Sequence, residues 1–266
     1  MRDRLPAALA VAVGGFALGL AFPRPDWDTA AWVALTPVIL TALGRRARAA
    51  LALGWFGGLV FFLVLLRWLN FTFRTYSAIP GPLVWVPTML LAAYCGFFVG
   101  AFAAGLSWIA ERRSIALALV AAPFLWVAGE WLRGHILGGF PWGALGYSQF
   151  QRLPVIQIAE LGGVYAVSFV VLAVNALIVG IIALPWRQAV VGLALGAVLV
   201  GGTLAFGFAR LAETPAPGAA ATIAVMQPAI EQPLKWDPQH AATTLGIYLA
   251  LTRRAAAERP DLIVWP

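Results

Sequence analysis

Seven stretches of this chain carry no charged side chain: residues 5–23, 29–44, 51–66, 83–110, 114–129, 161–186 and 188–209. A helix rises ~1.5 Å per residue and needs about 20 residues to cross a ~30 Å hydrocarbon core, with ~17 tolerated. By that measure four stretches are comfortable spans and three are marginal, the second being weakest because Pro37 lies inside it. Composition agrees: 62% of residues are hydrophobic and 11% charged, with a mean hydropathy of +0.86, where soluble domains average roughly a quarter charged residues. The expected fold is a polytopic α-helical membrane bundle of about seven spans.

Orientation follows from the basic residues. With the N-terminus cytoplasmic, the inner segments carry Arg2 and Arg4, then Arg45, Arg46 and Arg48, then Arg112 and Arg113, then Arg187, all in short loops. The outer connections hold Arg24, Arg67, Arg74, Arg133 and Arg152 in segments that are longer on the whole. Basic density places the N-terminus inside, and seven crossings deliver the C-terminal part to the outer face. The net charge of +7 and pI near 10.5 are mostly this topological signal. No basic run interleaves with aromatics in a soluble element, so nucleic acid is not an expected partner. The first stretch follows a basic start, as a secretion signal would, but Pro23, Arg24 and Pro25 make a poor cleavage site, and it is expected to stay as a span.

The lone Cys95 lies mid-span and reads as a small buried thiol; His135 and His240 are far apart, without metal-ligand spacing. No cofactor or metal is expected. Residues 133–149, continuing to Gly162 and Gly163, are rich in glycine, with Phe140, Trp142, Tyr147 and Phe150 interleaved. Two readings fit: a surface loop with interfacial aromatic anchors, or a shaped outer-leaflet loop that admits a lipid chain. Glu130 lies one helical turn before Arg133, which predicts a local ion pair at an interface. Asn175, in the sixth stretch, predicts a bond across helices. A transporter or membrane scaffold without enzyme chemistry is the alternative class, and no clear internal repeat supports it.

Residues 212–221, with Pro215, Pro217 and Gly218, read as a linker between a transmembrane domain over 1–211 and a new domain over 222–266. Thr222 to Met226 reads as a strand buried on both faces. Asp237 and Pro238 supply an N-cap and a first helical residue, Leu245, Tyr248, Leu249 and Thr252 share one helical face, and Leu262 to Trp265 forms a second buried strand. The unit is β-α-β with parallel strands.

A strand ending in Gln227 and Pro228, then Leu234, Lys235, Trp236 and Asp237, an amphipathic helix, and 261–266 (DLIVWP) resemble the opening of the carbon-nitrogen hydrolase (nitrilase) superfamily domain. Joined to a multi-span region with Phe140, Pro141 and Trp142 and with Gly146, Tyr147, Ser148 and Gln149, the chain resembles the apolipoprotein N-acyltransferase family. That resemblance implies acyl transfer at the outer face of the bacterial cytoplasmic membrane, from a phospholipid to the amine of a diacylglyceryl apolipoprotein, by way of a cysteine thioester. A glutamate base and an oxyanion-stabilising lysine complete the implied site.

The resemblance places the glutamate directly after Pro266, and the lysine and cysteine further on. Hence no catalytic residue is assigned within 1–266, and Cys95 and Lys235 are not promoted to those roles. A polypeptide of these residues alone is expected to be inactive, a truncated sandwich with an exposed apolar edge. By the same resemblance Trp236 is the candidate for substrate handling, against a domain-packing reading, and Phe140, Trp142 and Tyr147 are candidates for lipid contact. A monomer is the expected state.

Overall fold

The computed structural model describes residues 4–213, 218, 220–235 and 237–266, and the chain divides into two compact units, Met1–Glu213 and Thr214–Pro266. The first unit is helical. Its helices are α1 (Arg4–Leu20), α2 (Thr36–Leu43), α3 (Ala47–Leu65), α4 (Leu69–Tyr76), α5 (Trp85–Arg112), α6 (Ile115–Arg133), α7 (Leu153–Ile156), α8 (Ala159–Ala183) and α9 (Trp186–Ala212), with short 3-10 turns between some of them.

Among the described residues five helices are long and apolar enough to cross a membrane: α3, α5, α6, α8 and α9. This is a multi-pass membrane architecture. The other two predicted stretches are shorter as helices. At 17 residues α1 rises only about 25 Å. The second stretch is broken into a 3-10 turn (Asp28–Trp32) and α2, with Pro37 in the first turn of α2 where its missing N–H costs no helical hydrogen bond.

The break in the second stretch exposes backbone groups that a membrane interior cannot hydrate. Asn175 of α8 answers them: its Nδ2 donates to the Ala31 carbonyl at 2.9 Å and its Oδ1 accepts from the Leu35 N–H at 3.0 Å. The bond across helices expected of Asn175 is thus made mainly to backbone, with the Thr36 hydroxyl also donating to its Oδ1 at 3.4 Å.

Glycine sets the closest helix packing. A Cβ at Gly58 of α3 would lie 2.9 Å from the Gly96 Cα, and one at Gly100 of α5 would lie 2.8 Å from the Leu51 carbonyl oxygen. The two helices therefore touch backbone to backbone through small residues spaced four apart, Gly54 and Gly58 against Gly96 and Gly100. At the α5–α6 turn Ser114 caps α6, its hydroxyl accepting from the Leu117 N–H at 3.1 Å. At the start of α8, Gly162 and Gly163 leave helical geometry, so the regular part of that helix begins later than its first residue.

The second unit holds β1 (Ile223–Val225), α10 (Gln232–Lys235), α11 (Ala241–Ala256) and β2 (Leu262–Val264). The strands pair in parallel, Ile223 opposite Leu262 and Val225 opposite Val264. Asp237 accepts from the Gln239 N–H at 2.9 Å just before the turn at Pro238–His240 that leads into α11. Trp265 stacks on Tyr248 of α11, ring centroids 4.9 Å apart, and donates to the Thr252 hydroxyl at 3.0 Å. The strands are not buried on both faces as their apolar sequence predicts: Ile223 is 55% and Val225 64% exposed. Two strands of three residues leave each other's faces uncovered, and burial of such runs needs further layers.

Candidate functional site

The segment between α6 and α8 holds most of the candidate lipid-contacting residues, and α6 supplies its anchor. Glu130 and Arg133, both buried, occupy the last turn of α6. Spacing predicts an ion pair between them; among the described residues they form none, and each turns instead to the loop backbone. Glu130 accepts on Oε1 from the Trp126 indole at 2.8 Å and from the Leu145 N–H at 2.6 Å. Arg133 donates from Nη1 to the Phe140 carbonyl at 2.7 Å and to the Trp142 carbonyl at 2.5 Å. Its guanidinium lies over the Phe62 ring, 5.1 Å from the centroid. A charged side chain inside a bundle is stable only when its donors are used, and loop carbonyls use them here.

The rest of the loop is fastened by polar groups of three elements, α5, α8 and the 3-10 turn at Asp28–Trp32. Tyr94 of α5 donates to the Ile136 carbonyl at 3.1 Å, and the Gly146 N–H donates to Ser168 of α8 at 2.8 Å. Gln149, fully buried, donates to the Asp28 carbonyl at 3.0 Å and accepts from the Trp32 indole at 2.9 Å. Arg152 grips the Asp28 carboxylate with two hydrogen bonds, 2.5 and 2.9 Å. Backbone geometry demands glycine at Gly143: its φ is +73°, and a Cβ there would lie 2.3 Å from Leu65 Cδ2.

This scaffold presents a rim of aromatic rings. Trp142, 55% exposed, stacks with half-buried Phe140 at 6.0 Å and meets Trp68, the residue just before α4, at 6.4 Å. Beside Trp68 lies a cavity of about 190 Å³ lined by Phe22, Val64, Leu65, Arg24 and Arg67. A pocket flanked by rings and bordered by Arg24 and Arg67, where Arg67 Nη2 donates to the Arg24 carbonyl at 2.9 Å, can take an apolar chain and an anionic head together.

The structure therefore brings Phe140 and Trp142 into one cluster and adds Trp68, which the sequence does not single out. Tyr147 is half exposed and joins none of the ring contacts among the described residues. Trp236 lies outside the described residues. Cys95 is buried in α5 and borders a cavity of about 20 Å³, with Trp126, Glu130, Arg133 and Gly143 among its other walls. Glu130 Oε2, buried and without a hydrogen-bond partner, belongs to the same group, and such a cavity is large enough for a single water.

A family model described as "Apolipoprotein N-acyltransferase N-terminal domain" matches residues 14–177, the stretch that contains α2 to α7, the aromatic rim and its anchors. The chain belongs to the apolipoprotein N-acyltransferase family. It is 36% identical to a curated apolipoprotein N-acyltransferase of Geobacter metallireducens, covering 100% of this chain and 51% of the relative. Against the apolipoprotein N-acyltransferases of Chromobacterium violaceum and Gloeobacter violaceus it is 34% and 33% identical, over 87% and 100% of this chain and 45% and 51% of theirs. The chain spans about half the length of the curated relatives it matches. Sequence reasoning named Glu130 and Arg133 only as partners of each other, missing their role as loop anchors, and it missed Trp68; the available signal for the anchors was two ionisable residues at the end of an apolar span, directly before a glycine-rich loop.

Proposed function

We propose that this chain is the membrane half of an apolipoprotein N-acyltransferase, which moves an acyl chain from a phospholipid to the amine of the lipidated N-terminal cysteine of an apolipoprotein in the bacterial cytoplasmic membrane. The observation that carries this reading is the aromatic rim, Phe140, Trp142 and Trp68, whose loop is held by the buried Arg133 through the Phe140 and Trp142 carbonyls. Family membership over the whole chain supports it. The rim residues receive the acyl chain and the neighbouring Arg24 and Arg67 face the donor's phosphate; Tyr147 and Trp236 are further candidates for substrate contact.

In this reading α1 and the broken second stretch complete seven spans, with the N-terminus cytoplasmic and the residues after 211 on the outer face. Residues 212–221 are the linker, and 222–266 open the nitrilase-like domain with its first β-α-β unit. The thiol, base and lysine of the transfer belong to that domain beyond Pro266. The contribution of this chain is binding and orientation: it holds one lipid chain at a time where the acyl carbon can be reached, which lowers the entropic cost of each half-reaction.

The test uses the full-length enzyme from the same gene, assayed for N-acylation of a diacylglyceryl peptide. Trp142→Ala and Phe140→Ala are expected to raise KM for the phospholipid about tenfold or more, since burying an aromatic ring contributes ~1.5–3 kcal/mol. Unchanged KM in both variants removes the rim from substrate binding, and absence of N-acylated product from the wild type removes the reading as a whole.

A further inference from the structure

A cavity of about 600 Å³ opens between α6, α8 and α9, away from the aromatic rim. Its walls are apolar almost throughout, from Leu119, Phe124 and Phe169 to Leu177, Leu195 and Leu199, and the polar side chains at its mouth are Arg187 and Gln188. The volume falls in the usual small-molecule range of roughly 300–1,000 Å³.

The geometry points to one bound anionic phospholipid, with an acyl chain in this groove and its phosphate at Arg187. Depth is the first argument. From Arg187 to Leu199 along α9 the groove runs about 18 Å, close to one leaflet's half of a ~30 Å hydrocarbon core. A further transmembrane helix would need the whole core. At the deep end Phe124 and Phe169 meet edge to face, centroids 4.9 Å apart, and Phe169 also walls off a neighbouring cavity of about 290 Å³.

Charge is the second argument. The Arg187 guanidinium lies over the exposed Trp186 ring at 5.7 Å, an arrangement suited to a headgroup boundary, and no acidic side chain pairs with it among the described residues. The α5–α6 turn, which leads into Ala116 at the same mouth, adds exposed Arg112 and Arg113 against a single Glu111. A net positive mouth over an apolar slot complements a lipid whose head is net negative.

The site is independent of the acyl-transfer reading, and its test reads lipid retention rather than activity. Full-length protein, delipidated in detergent, is incubated with phosphatidylglycerol or phosphatidylcholine and examined by native mass spectrometry. One phosphatidylglycerol is expected to stay bound, with phosphatidylcholine retained at least fivefold less. Arg187→Gln should abolish the preference. Gly192→Leu should block both lipids, because a Cβ there meets Leu177 only at an ordinary 3.6 Å and the added branch enters the groove. Leu195→Trp is the second blocking variant should Gly192→Leu not fold. No retained lipid, equal retention of the two lipids, or retention that survives the blocking variants overturns the proposal.

Discussion

Asn175 and Leu35, 140 positions apart, are joined by a 3.0 Å hydrogen bond from the Leu35 amide to the Asn175 Oδ1, at the point where the second apolar stretch stops being helical. One side-chain amide thereby replaces part of a helical ladder. Asn175→Leu keeps the branched shape but leaves the Leu35 N–H and the Ala31 carbonyl without this partner. Each such loss costs about 1–3 kcal/mol, and for a unit of this size ~1 kcal/mol shifts the midpoint by about 2–4 °C. A fall of several degrees in thermal unfolding in detergent is expected, and an unchanged midpoint would show that the break is satisfied some other way.

Arg133 holds the Phe140 and Trp142 carbonyls from one nitrogen, Nη1, while its planar guanidinium lies over the Phe62 ring. Arg133→Lys keeps the charge but loses the planar group over Phe62 and the reach to both carbonyls. Hydrogen exchange across residues 136–150 should accelerate at least tenfold while exchange in the α3–α5 contact stays as in the wild type. Equal protection of the loop in the variant contradicts the anchoring role.

Gly143 combines a positive φ with a close neighbour, so the two costs can be separated. Gly143→Ala is expected to destabilise by roughly 1–3 kcal/mol from backbone strain, with the Leu65 clash added. Adding Leu65→Ala should recover the clash but not the strain. As a control, Gly81→Ala meets nothing within 4 Å and should be nearly neutral. Denaturant midpoints of the four proteins decide whether strain and clash both contribute.

In the second unit the Asp237 carboxylate is held below its ordinary pKa, first by the Gln239 N–H and then by the His240 side chain. A carboxyl with a lowered folded pKa stabilises above its unfolded value near ~3.9 and loses that contribution as pH falls through the folded value. Protection of the Gln239 amide, its exchange rate taken relative to an unprotected amide at the same pH, should therefore fall below about pH 4, and Asp237→Ala should lack that protection at every pH. A pH-independent protection factor in the wild type would mean the cap is not formed.

Several features were legible in the residues alone. Long uncharged runs can satisfy their backbone only as helices, so the membrane bundle followed from composition, and Asp237 before Pro238 announced a cap because its side chain can reach a free N–H. The pairing of Phe140 with Trp142 was hinted at by their closeness in sequence, and the order of short motifs pointed to the family. Tertiary structure alone decided that Glu130 and Arg133 bond to the loop and not to each other, that Trp68 joins the rim, and that α1 and the second stretch form shorter helices than their sequence runs. The reason is common to all three. A sequence pattern states which groups need partners, but in an interior without water the partner is whichever group packing brings within about 3 Å, and packing also draws on contacts far apart in the chain, as between Trp32 and Gln149.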